Sequence, residues 1–155
     1  MYPQSHFLFS FLIGGIFAKF GIFSWKIALL VGLVGMIIDL DHFLNFAFRR
    51  KDYDLKDAWN ACVVNHFTGR TFIHHWIGFT LATVLIIWLF YQNTIWFWII
   101  GLGYYSHIVL DYAKINILKI RGIETIREEG FVMRLSKFEA MLDIFLVIGI
   151  LLLYL

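Results

Sequence analysis

Two carboxylates and an imidazole stand within one helical turn at Asp39-Leu40-Asp41-His42, closing a run, Ile27 to Ile38, that otherwise reads as membrane helix. A charged side chain at the bilayer centre costs about 2.5–3.5 kcal/mol on insertion scales, so acids there mark a functional site whose partner must be found. Asp39 and His42, three apart, share a helix face, while Asp41 is directed away from both if the helix is regular. The plain alternative is a solvated helix rim without chemistry. A second constellation, His107 and Asp111, sets a nitrogen and an oxygen donor four residues apart on one face. His6, His74 and His75 add further imidazoles, each next to the start of an apolar run.

Neutral imidazoles with carboxylates suit zinc, with manganese or iron as alternatives. Cys62 is the only cysteine, so a disulfide within the chain and a thiolate cluster are both excluded. More than four candidate ligands point to two ions, or to one set of ligands and the groups that orient it. Two ions about 3.5–4 Å apart stabilise the attacking and leaving oxygens of a phosphate-ester displacement. A proton relay or a buried polar network is the competing use of the same residues.

These residues need elements to position them, and composition says of what kind. Of 155 residues 61% are hydrophobic and 19% aromatic, well above a soluble domain, and mean hydropathy is +0.77. An integral membrane protein of one unit is expected: an all-α polytopic bundle of five spans at about 7–23, 27–48, 76–91, 95–113 and 138–155. The start lacks a basic region and a small-residue cleavage site, so the first run reads as a retained span. Gly14-Gly15, and Gly32 with Gly35, allow neighbouring helices close approach. Residues 49–75 and 114–137 read as polar loops, with an amphipathic interfacial helix over Leu55 to Phe67.

Those two loops hold 5 and 6 Lys or Arg, whereas the turns at 24–26 and 92–94 hold only Lys26. Positive loops stay inside, so the N-terminus and both loops are expected on the cytoplasmic side of the cell membrane. On that topology His6, the 39–42 cluster, His74, His75, His107 and Asp111 all fall at one membrane face. Histidines with purely structural roles would divide between the faces.

Four stretches, Ser5-His6-Phe7-Leu8-Phe9-Ser10, Asp39-Leu40-Asp41-His42, Arg70-Thr71-Phe72-Ile73-His74 and Gly103-Tyr104-Tyr105-Ser106-His107-Ile108-Val109-Leu110-Asp111, resemble in order and context the motifs of the membrane-bound metal-dependent hydrolases. The His-x-x-x-Asp pair is also distantly similar to one in zinc-dependent phospholipases C. The resemblance spans about residues 5–113 and implies a multi-span helical protein, a divalent metal and hydrolysis. It departs in two places: Ile38 stands where the family has Pro, and Gly69 where it has His.

The expected metal ligands, or groups directly behind them, are His6, Asp39, Asp41, His42, His74, His107 and Asp111. Asp41 is also the candidate general base, and Arg70, with Arg49 and Arg50, the candidate phosphate holder. A membrane lipid phosphate ester is the expected substrate, because the candidates lie where helices meet headgroups and the loops are short. A divalent-metal or proton transporter and a non-catalytic adaptor binding a partner or anionic lipid are the alternatives.

Overall fold

Apolar runs broken by glycine, proline or charge become helices, because backbone groups in lipid must be satisfied within their own segment. In the computed structural model the backbone is described for residues 2–64, 72–117, 125–128, 131–134 and 137–155, and side chains for 2–61, 72–113 and 137–155. The helices are α1 (Pro3–Lys19), α2 (Trp25–Ile37), α3 (Leu40–Arg50), α4 (Leu55–Val64), α5 (Trp76–Gln92), α6 (Thr94–Ile117) and α7 (Lys137–Tyr154), with a 3₁₀ turn at Phe72–His74.

α1 begins with Pro3, whose fixed φ and missing N–H suit a first turn. Gly21 ends it at φ +74°, a left-handed value natural for glycine, and Ser24 leads into α2. The first helix therefore covers 3–19, where a span was expected at 7–23, which puts His6 within the helix. α1 and α2 pack closely along their length, α6 lies against both, and α7 lies against α1. At Gly14 the backbones meet: a Cβ there would come 3.0 Å from Ala28 Cα. α5 and α6 form a hairpin around Asn93, whose Oδ1 accepts the N–H groups of Ile95 and Trp96 and so begins α6. Ile86, Tyr104 and Ile108 form the core between them.

Two expectations are revised. The span expected at 27–48 is divided: Asp41 N–H bonds to Ile38 O and His42 N–H to Asp39 O, each at 3.2 Å, a three-residue spacing that tightens the chain between α2 and α3. The loop expected at 114–137 begins later, after Ile117, and contains an antiparallel hairpin of β1 (Thr125–Glu128) and β2 (Phe131–Arg134), in which Thr125 pairs with Arg134 and Glu128 with Phe131.

The distribution of polarity is inverted relative to a soluble protein. Ser5, His6, Ser10, Ser106, His107 and Glu139 are buried, while Leu81, Val84, Ile87 and Trp88 of α5 and Ile144, Phe145, Leu151 and Leu152 of α7 are exposed. Apolar surface of that extent is unfavourable in water and natural in lipid. Among the described residues one stretch, Trp25–Arg50, which is α2 and α3 taken together and contains the span expected at 27–48, is long and apolar enough by length and composition to cross a membrane; Trp76–Gln92 is a shorter apolar helix.

Candidate functional site

Four pieces of chain converge at one end of the bundle. The first turns of α1 bring His6, the α2–α3 junction brings Asp39, Asp41 and His42, the 3₁₀ turn brings His74, and α6 brings His107 and Asp111.

His107 is fully buried, and its Nδ1 lies 2.8 Å from the Gly35 carbonyl oxygen. A carbonyl only accepts, so Nδ1 carries the proton and the Nε2 lone pair is directed the other way. Nε2 is 3.0 Å from His74 Nε2, 3.5 Å from Asp111 Oδ2 and 3.8 Å from Asp39 Oδ1. His74 Nδ1 is 3.2 Å from Asp41 Oδ2, and its Nε2 is 3.2 Å from Asp111 Oδ2. His6 stacks on His107 with ring centroids 3.9 Å apart, and its Nε2 is 3.2 Å from Asp111 Oδ1 and 3.8 Å from Asp39 Oδ2. His42 Nε2 is 3.9 Å from Asp41 Oδ1.

The donors sort into two trios, His6 with His107 and Asp111, and Asp41 with His42 and His74, each with ligand-type atoms within 4.8 Å of one another. Asp111 lies between them, one oxygen toward His6 and the other toward His74 and His107. Asp39 belongs with the first trio and His42 with the second, so the shared face expected for these two is not how they are used. Burial weakens the basicity of His74, but its hydrogen bonds to Asp111 and Asp41, and their charges, outweigh that and raise its pKa to about 9. A proton on His74 and a cation are thus alternative answers to the same carboxylates.

Backbone and small side chains hold this arrangement. Gly35 turns its carbonyl to His107, and a Cβ on it would collide with Ser10 Oγ. Ser106 Oγ donates to Leu102 O at 2.6 Å and accepts from Ser10 Oγ at 2.6 Å, stitching α1 to α6 one residue from His107. Tyr104 Oη donates to Ile73 O at 3.1 Å and fixes the turn that carries His74. The glycine spacing in α2 announces close packing, but nothing in the sequence announces that a carbonyl there orients a histidine. Arg70 and Gly69 lie outside the described residues. His75 is exposed beside Trp76 and is in neither trio. Arg49 and Arg50 are exposed in the last turn of α3.

Residues 1–119 match the family described as YdjM inner membrane protein. The chain belongs to that family. No curated protein and no solved structure matches it. The YdjM match runs from α1 through α6 and takes in all seven converging side chains, while the hairpin and α7 follow it. An inner-membrane assignment agrees with the polar interior and apolar exterior of the helices.

Proposed function

We propose that this YdjM-family protein is a membrane-embedded hydrolase that uses divalent metal, zinc first, on a lipid phosphate ester at the inner leaflet. The observation that carries it is the orientation of His107: with Nδ1 committed to Gly35 O, its Nε2 lone pair looks into a space shared with Asp111, Asp39 and His74. Lone pairs and carboxylates turned on one another in a buried setting repel unless a cation or protons lie among them. The residues fit a cation in a further respect. Both ring nitrogens of His6, and Oδ2 of Asp39, are buried without an aligned hydrogen bond among the described residues.

Cations held by these donors would supply Lewis-acid polarisation of the phosphoryl group and a lowered pKa for an attacking water. The chain supplies the rest. Asp41 would serve as the general base, and His74 Nδ1, 3.2 Å from its Oδ2, holds that carboxylate in orientation. His42 is about one-third exposed, whereas His6 and His107 are buried, so substrate approaches from the side of the second trio.

The lipid part of the proposal rests on α3. Leu40, Leu44 and Phe48 form an exposed apolar stripe at four-residue spacing, followed by Arg49, Arg50 and Lys51. Such a helix lies at the boundary of acyl chains and headgroups. It would set the opening at phosphate level, with guanidinium groups at hand and Arg70 a further candidate. In this proposal five spans cross with the N-terminus inside, both basic loops are cytoplasmic, and Asn93 faces outward.

Purified protein is expected to retain divalent metal and to hydrolyse a phospholipid or polyprenyl phosphate in mixed micelles faster than a water-soluble phosphodiester. Equal rates on the two would overturn the lipid assignment, and metal-free protein with full activity would overturn the metal assignment.

A further inference from the structure

α1 begins poorly. Its N-cap residue, Tyr2, makes no side-chain cap hydrogen bond, and the first-turn N–H groups of a helix need an acceptor. The acceptor comes from the far end of the chain: Glu139 Oε1, on α7, takes the Tyr2 N–H and, at 3.1 Å, the Ser5 hydroxyl. Glu139 is 4% exposed, a buried carboxylate at a helix N-terminus, where the helix dipole favours negative charge. At the other end of α1, Lys19 Nζ donates to Leu153 O at 2.9 Å. α1 is therefore tied to α7 at both ends, and the tie at Ser5 is one residue from His6.

We infer that Glu139 is a positioning residue for His6: by capping α1 from α7 it sets where His6 stands along the helix axis opposite Asp111. A slip of one residue moves a helix about 1.5 Å. His6 Nε2 is 3.2 Å from Asp111 Oδ1, so a displacement of that size undoes the first trio and leaves the second, which contains no α1 residue. The inference rests on the metal proposal for what His6 does, but not for where His6 stands. It also gives a role to a helix beyond the YdjM match, whose carboxylate the metal trios do not include.

The test uses the full chain in detergent, with zinc affinity measured by competition against a chromophoric chelator. Glu139→Ala is expected to weaken zinc binding at one position by about tenfold or more, the usual cost of losing a group that orients a ligand. Glu139→Gln keeps an acceptor oxygen and is expected to recover most of that loss. Leu146→Ala, which loosens the same helix at a buried site away from Glu139, is expected to leave zinc affinity unchanged. Wild-type affinity in Glu139→Ala, or an equal loss in Leu146→Ala, overturns the inference. If Glu139→Ala does not fold, Ser5→Ala removes one of the two bonds and is expected to show a smaller loss in the same direction; no loss overturns the inference. A second readout needs no metal: diethylpyrocarbonate labelling of His6 in chelator-treated protein is expected to rise several-fold in Glu139→Ala. Should wild type bind no zinc, the metal proposal fails while this labelling still decides: increased labelling upholds the positioning role and unchanged labelling ends it.

Discussion

The two trios use the same side-chain chemistry on different supports. His6 and His107 of the first are 1% and 0% exposed and stand on α1 and α6, helices of 17 and 24 residues. The backing of this trio is dense: a carbonyl behind His107, a pair of hydroxyls between the helices and a carboxylate capping α1. Asp41, His42 and His74 of the second stand on an 11-residue helix and a three-residue turn, and His42 is open to its surroundings. A ligand set on long, cross-braced helices keeps its geometry when the environment changes; one on short elements at the rim adjusts to what arrives. On the metal proposal, the first trio is suited to permanent holding and the second to exchange of water and substrate.

The sharpest way to break that contrast is to remove a residue that touches both halves. His107→Ala is expected to strip metal from both positions, by more than the roughly 10–100-fold that loss of an orienting group costs. His42→Ala should abolish turnover while one equivalent of metal remains. Metal counting on the purified variants checks both. Equal metal loss in the two would mean that the trios are one undivided site.

Acidity should separate the trios next. With a pKa of about 9, His74 is protonated at neutral pH and must release that proton to bind a cation. Affinity at the second position is therefore expected to rise by up to about tenfold per pH unit from pH 7 to 9, then level off. Titration of zinc binding against pH reads this directly, and a flat profile would show that His74 is not a ligand.

The smallest expected effect concerns the bracing. Gly35→Ala places a methyl group against Ser10 and should cost about 1–3 kcal/mol of stability through overpacking. By moving α2 away from α1 it should also loosen His107 and weaken the first position more than the second. Thermal unfolding and metal counting together check it; a loss confined to the second position would invert the assignment of rigid and adaptable halves.

How far the sequence foretold this differs between residues for physical reasons. Charge and hydropathy are properties of side chains, so the runs that form α1, α2, α5, α6 and α7, and the collection of His and Asp at one end, could be read directly. The break between α2 and α3 could not. Ile38 keeps the N–H bond to Val34 O that a proline there would delete, and the tightening depends on hydrogen-bond spacing that no residue type announces. The β1–β2 pairing was hidden by its charges. The Gly35 carbonyl and the use of Glu139 depend on tertiary contacts, the second across 137 positions. Arg70, named for phosphate from its motif, lies outside the described residues.

That last separation bears on how the molecule is made. A ribosome releases α1 long before α7, so α1 forms with its first-turn donors still lacking Glu139. Until the seventh helix arrives, His6 has no fixed height. A chain interrupted after α6 would carry every converging histidine and aspartate, yet the holder they form would remain loose. On the metal proposal, α7 acts as a late latch in biosynthesis, and tight metal uptake is expected only once α7 has joined α1.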